Sequence, residues 1–323
     1  MNFKDMPKIE LHVHLDGSVR PKTIADILNL DQNEIKDKTI AKEKCEDLND
    51  YLTKFSLPIK AMQTKENLER IAYELVSDLQ NDNVIYAEIR FAPIKHPKNL
   101  TLDEVVKSVL KGLKKGNIKT NLILCMMRDS NYEDNIKIIE LAKRYLNKGV
   151  VAIDLAGAEA LYKTDKFKEL FELAKHYKIP FTIHAGEADG IDSINSALCF
   201  GTKRLGHGIR IIEDKNLINK IIQNDILLEI CPTSNIQTNV VSTYQHHPIK
   251  QLFDLGCKIN INTDNRTVSN TTLEKEYQIL NKYLKFSIED IIKTNIMAIE
   301  HSFLNDKEKD KLNDLYLNKI RIK

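Results

Sequence analysis

The segment Lys8-Ile9-Glu10-Leu11-His12-Val13-His14-Leu15 combines a short apolar run with two histidines at alternate positions. Residues two apart in a β-strand point to the same face, so both imidazoles are predicted to project from one face of a first strand. A histidine or an aspartate also ends, or follows within two residues, three later apolar runs, at His184, His207 and Asp264. This distribution predicts a metal site assembled from several strands of one barrel.

Apolar runs alternate with segments of helical periodicity along the chain. The runs are Lys8–Leu15, Val84–Ala92, Thr120–Met127, Val150–Leu155, Pro180–His184, Arg204–His207, Ile226–Ile230 and Lys258–Asn262. This alternation predicts parallel strands with right-handed crossovers, and eight such units can close into a (β/α)8 TIM barrel. An open doubly wound sheet is the alternative, but no glycine-rich fingerprint follows the first run. We predict one α/β barrel domain over residues 1–323.

Helix starts and one insertion complete this prediction. Thr101–Glu104, Ser130–Glu133 and Thr271–Glu274 each fit a capping box at a helix start. An insertion at about residues 20–80 follows the first strand. Within it, an apolar stripe has the spacing of one helix face: Leu48, Tyr51, Leu52 and Phe55. The stripe is either core-facing or part of a helical lid over the barrel mouth, and both interpretations can hold.

Bulk composition excludes several classes of partner. The chain has 323 residues, is 42% hydrophobic and has a formal charge of only +2, which gives no electrostatic argument for nucleic acid or an anionic membrane. No apolar run is long enough to span a membrane, and the first residues lack the apolar region of a signal peptide. The five cysteines are widely spaced without a C-x-x-C pair. A reduced, cytoplasmic protein is therefore expected.

The candidate ligands and a nearby glutamate indicate water activation. Imidazole nitrogens with one carboxylate suit zinc with a position left for water, although iron or cobalt would also fit. Glu187, three residues after His184, is placed to donate or accept a proton, and a dry pocket would raise its pKa. The end of the fourth run and the two residues after it read Asp154-Leu155-Ala156-Gly157 and lack the lysine that often bridges two metals, so one metal is predicted.

Other polar residues are assigned structural roles. His96 and His176 are predicted to lie on the surface. His246 and His247 should point to opposite faces of an extended chain, which argues against a metal pair. A buried network within the barrel is predicted for three charged strand residues: Glu88, Arg90 and Glu229.

Five segments together resemble, in content and order, the motifs of the adenosine deaminase family. They are Pro7–Ser18, Asp154–Gly157, His184–Glu187, Leu205–Gly208 and Asn262–Asp264. The resemblance implies zinc-dependent deamination of adenosine, and of 2′-deoxyadenosine, to inosine and ammonia in purine salvage. It implies one Zn2+ per chain and a small-molecule purine nucleoside as the substrate, and it leaves the oligomeric state open.

The resemblance also implies a role for each matched position. The metal ligands would be His12, His14, His184 and Asp264. The catalytic residues would be Glu187, which protonates purine N1, His207, which orients the attacking hydroxide and assists its deprotonation, and Asp264. The substrate contacts would be His14, Asp16 at a ribose hydroxyl, Gly157 at N3, Asn265 at N7, and the walls Leu48, Tyr51, Leu52, Phe55 and Met127.

Asn265 departs from the family pattern, in which many members have an aspartate that bonds purine N7. Because N7 is an acceptor and an amide donates at any pH, asparagine is a compatible variant. The alternatives are an adenine deaminase or another 6-aminopurine deaminase. Adenine deaminases typically have an aspartate where Gly206 stands here. A non-catalytic nucleoside-binding protein would be expected to lack Glu187 or a ligand, and none is lost.

Overall fold

The computed structural model describes residues 2–321, and within them eight parallel strands form two sheets. The strands are β1 (Lys8–His14), β2 (Val84–Phe91), β3 (Lys119–Met127), β4 (Val150–Ala156), β5 (Ile183–Ala185), β6 (Arg204–His207), β7 (Leu227–Ile230) and β8 (Lys258–Ile261). One sheet has the order β1-β2-β3-β4 and the other β5-β6-β7-β8. Strands β2 and β4 are buried along their whole length, as expected of parallel strands covered on both faces.

Two backbone junctions close the sheets into a barrel. After β8, the Asp264 nitrogen donates to the His12 carbonyl over 2.9 Å, and the His14 nitrogen donates to the Asp264 carbonyl over 2.7 Å. Between β4 and β5, the Ile153 nitrogen donates to the Pro180 carbonyl over 3.0 Å. The predicted (β/α)8 barrel is confirmed, and its first junction consists of predicted metal-site residues.

Helices surround the barrel and cover one end of it. They are α1 (Pro21–Leu28), α2 (Gln32–Thr39), α3 (Leu48–Leu52), α4 (Ser56–Ala61), α5 (Lys65–Asn81), α6 (Leu102–Leu113), α7 (Tyr132–Tyr145), α8 (Lys168–His176), α9 (Ile191–Phe200), α10 (Lys215–Gln223), α11 (Pro232–Gln237), α12 (Ile249–Asp254), α13 (Leu273–Leu284), α14 (Ile288–His301) and α15 (Asp306–Arg321). At the amino end of the strands, Ile9 and Leu227 pack with Ile299 of α14 and Tyr316 of α15. The carboxyl ends of the strands therefore remain as the place for a site.

Between β1 and β2 the chain forms α1–α5. Helix α5 packs against α6 as the first outer helix of the barrel, and α1–α4 precede it. Helix α3 is followed by a 3-10 turn at Thr53–Phe55, so the apolar stripe of the insertion lies on consecutive helical turns. Among residues 2–321, no helix combines the length and apolarity needed to cross a bilayer.

The helix starts test the capping predictions. The box at Thr101–Glu104 is confirmed, with both reciprocal hydrogen bonds present. The other two boxes are wrong by one residue, because Asn131 caps α7 and Thr272 caps α13. Asparagine and threonine are themselves strong N-cap residues, so they compete with the hydroxyl residue that precedes each of them.

Candidate active site

Four buried side chains converge at the carboxyl ends of the strands. His12, His184, His207 and Asp264 each place a potential ligand atom within 4.8 Å of the others. His14 lies beside them, with its Nε2 atom 3.3 Å from His184 Nε2 and 3.4 Å from Asp264 Oδ1. The barrel thus brings together all four residues predicted as metal ligands, and His207 with them.

Two residues of this cluster have an uncommon backbone conformation. His207 has φ of 62° and Asp264 has φ of 58°, in the left-handed region. This region is sparsely populated by residues with a Cβ and costs about 1–3 kcal/mol per residue. His207 is the last residue of β6, and Asp264 lies three residues after the end of β8; strained backbone of this kind clusters at functional sites.

Buried carboxylates orient two of the imidazoles. His12 Nδ1 lies 2.9 Å from Glu229 Oε2, and His184 Nδ1 lies 2.9 Å from Asp154 Oδ2. A carboxylate accepts the Nδ1–H proton and leaves the Nε2 lone pair directed into the cluster. His12 Nε2 is buried without a hydrogen-bond partner among the described residues. Metal-binding histidines in proteins have this arrangement, so the residues fit a metal ion.

Two buried arginines stabilise those carboxylates. Arg90 contacts Asp154 and Glu229 at 2.8 Å each, and Arg204 contacts Glu229 and Glu88. The predicted network is therefore present, although Glu88 pairs with Arg204 rather than with Arg90. Burial opposes the ionised form of Glu229, but the two arginines hold the pKa of that carboxyl well below its ordinary value. Glu229 thus remains an acceptor for His12.

Glu187 faces the cluster, and its surroundings favour the protonated form of its carboxyl group. Its Oε2 atom lies 3.5 Å from His207 Nε2, and its Oε1 atom is buried without a hydrogen-bond partner among the described residues. Burial, followed by the negative charges of Asp264 and Glu159, raises the pKa of Glu187 well above its ordinary value. The carboxyl group can therefore hold a proton near neutral pH, as a general acid requires.

The loop that carries Glu187 is held by Glu159, which the sequence analysis missed. The Glu159 carboxylate accepts hydrogen bonds from the backbone nitrogens of residues 186–189 at 2.7–3.0 Å and from the Ser193 hydroxyl. The only local signal is that Glu159 lies two residues after the Asp154–Gly157 motif. Arg128 fixes the start of the same loop by donating to the His184 carbonyl over 2.7 Å.

The cluster opens into a cavity of about 230 Å³. Its lining includes every predicted substrate contact: His14, Asp16, Leu48, Tyr51, Leu52, Phe55, Met127, Gly157 and Asn265. Glu187, His207 and Asp264 also line it. The apolar stripe of the insertion therefore faces the same space as the histidine–aspartate cluster.

Asn265 and Tyr51 connect two walls of this cavity. Asn265 Nδ2 donates to the Tyr51 hydroxyl over 3.0 Å, and that hydroxyl lies 2.7 Å from Ser269 Oγ. A hydrogen bond between the insertion and the loop after β8 was not foreseen from the sequence. Nδ2 carries two hydrogens, so one N–H of Asn265 remains for another acceptor.

The remaining histidines include one wrong prediction. His96 is fully buried and stacks on Phe91, with ring centroids 5.8 Å apart. The polar residues around it in sequence suggested a surface position, but the turn after β2 directs the ring inwards, where its Nε2 lies 3.9 Å from Asp16 Oδ2. His176 is exposed as expected, whereas of the adjacent pair His246 is exposed and His247 is buried.

Comparison with known proteins identifies the family. The sequence matches the family described as adenosine deaminase over residues 7–319. The chain belongs to the adenosine deaminase family. It is 42% identical to the adenosine deaminases of Clostridium kluyveri (99% of this chain, 96% of the relative) and of Clostridium botulinum strain Okra (97% of each).

A solved structure shows that the similarity also holds for the fold. The crystal structure of an Arabidopsis N6-mAMP deaminase superposes with a TM-score of 0.89 and 25% identity, covering 98% of this chain and 99% of the other. The adenosine deaminase family is metal-dependent, and the histidine–aspartate cluster is a possible metal site in this chain.

Proposed function

We propose that this protein hydrolyses adenosine and 2′-deoxyadenosine at C6 of the purine and releases inosine or deoxyinosine and ammonia, in purine salvage. One observation carries this proposal. A buried histidine–aspartate cluster and the protonatable Glu187 open into the same cavity. Deamination at C6 needs an activated water on one side of the ring carbon and a proton for the neighbouring ring nitrogen, and these groups supply both.

We assign the metal to His12, His14, His184 and Asp264, and we propose one Zn2+ per chain. Nitrogen ligands with one carboxylate suit zinc. When bound, zinc lowers the pKa of a water molecule towards neutrality and so supplies a nucleophile. His14 can serve as a neutral ligand because burial lowers its pKa to about 3.

The chain's own groups complete the chemistry. Glu187 donates its proton to purine N1, which disrupts the aromatic ring and makes C6 a better electrophile. His207, 3.5 Å from Glu187, orients the attacking oxygen. Asp264 combines its proposed role as ligand with a position on the cavity wall, where it would lie close to the reacting carbon.

Recognition of the nucleoside is assigned to polar groups around the cavity. Asp16 Oδ1 is buried without a hydrogen-bond partner among the described residues, which supports its role as acceptor of a ribose hydroxyl. The backbone of Gly157 would contact N3, and the free N–H of Asn265 would contact N7. Leu48, Tyr51, Leu52, Phe55 and Met127 would enclose the ring, with α3 acting as a lid.

Gly206 supports a nucleoside over free adenine as the substrate. A Cβ atom at this position would lie 3.1 Å from both His12 Cε1 and His184 Cα. An aspartate there would therefore crowd two proposed ligand residues. For the location, we propose the cytoplasm, which is supported by five cysteines that are all free.

A substrate panel tests the proposed function. Purified holoprotein is assayed with adenosine, 2′-deoxyadenosine, adenine and AMP by the fall in ultraviolet absorbance of the adenine ring. We expect turnover of the two nucleosides and little or none of adenine and AMP. Faster turnover of adenine or AMP than of adenosine would overturn the substrate assignment, and binding of adenosine without turnover would overturn the enzymatic one.

A further inference from the structure

A buried line of hydrogen bonds runs from the start of α12 to His207. The Ile249 nitrogen lies 3.2 Å from His247 Nδ1, and His247 Nε2 lies 3.2 Å from Asn235 Oδ1. Asn235 Nδ2 in turn lies 3.0 Å from His207 Nδ1. Asn235 is fully buried, and His247 and His207 are nearly so. None of the roles assigned above uses His247 or Asn235.

The direction of every bond in this line is fixed by its first member. A backbone N–H can only donate, so His247 Nδ1 must accept. Burial lowers the pKa of His247 to about 3, so its ring is neutral and its single N–H is at Nε2. That N–H donates to the Asn235 carbonyl, which leaves the Asn235 NH2 group to donate to His207. His207 Nδ1 is therefore an acceptor.

Because His207 Nδ1 is an acceptor, it also determines whether the other ring nitrogen, Nε2, carries the proton on the side of the cavity. A second proton on Nδ1 would oppose the Asn235 N–H with another donor, so His207 has its one proton on Nε2. This polarity is opposite to that of His12 and His184, whose Nδ1 atoms donate to Glu229 and Asp154. His207 Nε2 is also buried without a hydrogen-bond partner among the described residues, as expected of a donor that awaits a ligand.

We propose that Asn235 and His247 are positioning residues that hold His207 as its Nε2–H tautomer. In this form His207 donates a hydrogen bond to the attacking oxygen and does not ligate the metal. It also removes no proton, in contrast to the help with deprotonation that the family resemblance implies for this residue. The donor role rests on the proposed function, whereas the tautomer follows from the contacts alone. The proposal also explains why His207 lies among the ligands without being one of them.

Nitrogen-15 NMR of histidine-labelled holoprotein tests the tautomer directly. We expect His207 to show a protonated Nε2 and an unprotonated Nδ1, with the signals assigned by their loss in His207→Gln. Asn235→Asp places an acceptor-only carboxylate against Nδ1 and should move the proton there. It should also lower kcat on adenosine at least ~100-fold while the metal content is retained. Asn224→Asp, at an exposed asparagine after α10, is the matched control and should change neither readout.

Several outcomes would overturn the proposal. A protonated Nδ1 on His207 in the unaltered protein would refute the tautomer, and this result needs no variant to fold. A reversed tautomer in Asn235→Asp with normal kcat would refute the donor role. If the unaltered protein binds adenosine without turnover, the proposed function fails, and the NMR spectrum still decides the tautomer independently.

Discussion

The Glu159 carboxylate accepts a hydrogen bond from the backbone nitrogen of Glu187 over 3.0 Å. Because the same carboxylate also accepts from the amides of residues 186, 188 and 189, one buried side chain fixes the loop that carries the proposed proton donor. The loop is therefore held from outside the cavity, which leaves the Glu187 side chain free to face the substrate.

Replacing Glu159 by glutamine should impair catalysis as well as stability. The glutamine NH2 group cannot accept, so at least one buried amide loses its partner at a cost of ~1–3 kcal/mol. A displaced Glu187 should lower kcat on adenosine by ~10–100-fold. Asp82→Asn is the matched control, because Asp82 is also buried and accepts from the backbone nitrogens of Leu273 and Glu274. The control should lose stability and keep its kcat; equal losses of kcat in both variants would refute the positioning role.

Glu187→Gln should keep the shape of the side chain and remove its titrating proton. General acid catalysis is typically worth ~10²–10⁴-fold. The kcat on adenosine should therefore fall at least ~100-fold while the metal is retained. Steady-state kinetics with elemental analysis makes the measurement, and Glu213→Gln, at an exposed glutamate, serves as the control. Near-normal kcat in Glu187→Gln would show that another group supplies the proton.

Asn265 should discriminate between adenosine and its analogue with C–H in place of N7. An unsatisfied buried donor costs ~1–3 kcal/mol, or roughly ten- to a hundredfold in kcat/KM. Asn265→Leu should cause a similar loss on adenosine. The two changes together should cost much less than the sum of their separate effects, because both remove the same contact. Fully additive losses would mean that Asn265 does not touch N7 and serves only to hold Tyr51.

The sequence pattern was sufficient to predict the barrel, and the family resemblance supplied the predicted substrate contacts, all of which line the cavity. The ends of strands and the alternation of strands with helices are local properties of the sequence. The alternate spacing of His12 and His14 and the eight apolar runs were therefore visible in it directly. The partners of those residues were not. His12 and Glu229 are 217 residues apart in the chain, and their contact depends on how the two sheets align across the barrel junctions.

His96 shows the same limit for a single residue. It was judged from its neighbours in sequence, yet burial depends on the side of a turn to which the backbone directs the ring. The contact of His247 with Asn235 could not be foreseen either, because it depends on packing between α11 and the segment before α12. Sequence patterns predict the position of a residue in its element more reliably than its partners.

Ionisation of the buried Glu276 carboxyl group should make the folded protein less stable as the pH rises. Burial raises the pKa of this carboxyl from 4.5 to about 7, so the folded protein binds a proton that the unfolded chain has released. The associated stability is fully present below about 4.5 and is lost as the pH rises through about 7. It amounts to about 3 kcal/mol at most.

Glu276→Gln, which cannot ionise, should show a shallower fall of Tm over this pH range than the unaltered protein. Thermal denaturation at a series of pH values provides the comparison. Glu289→Gln, at an exposed residue of α14, should follow the unaltered curve. Parallel curves for Glu276→Gln and the unaltered protein would show that Glu276 is ionised in the folded state.

The dependence of adenosine turnover on one bound metal tests the central claim most directly. Elemental analysis of the purified protein is combined with activity after chelation and after titration with Zn2+. We expect one zinc per chain, loss of deamination on its removal, and full recovery with one equivalent, as expected for a single site formed by His12, His14, His184 and Asp264. Full activity in protein free of transition metals, or recovery that requires two equivalents per chain, would contradict this account.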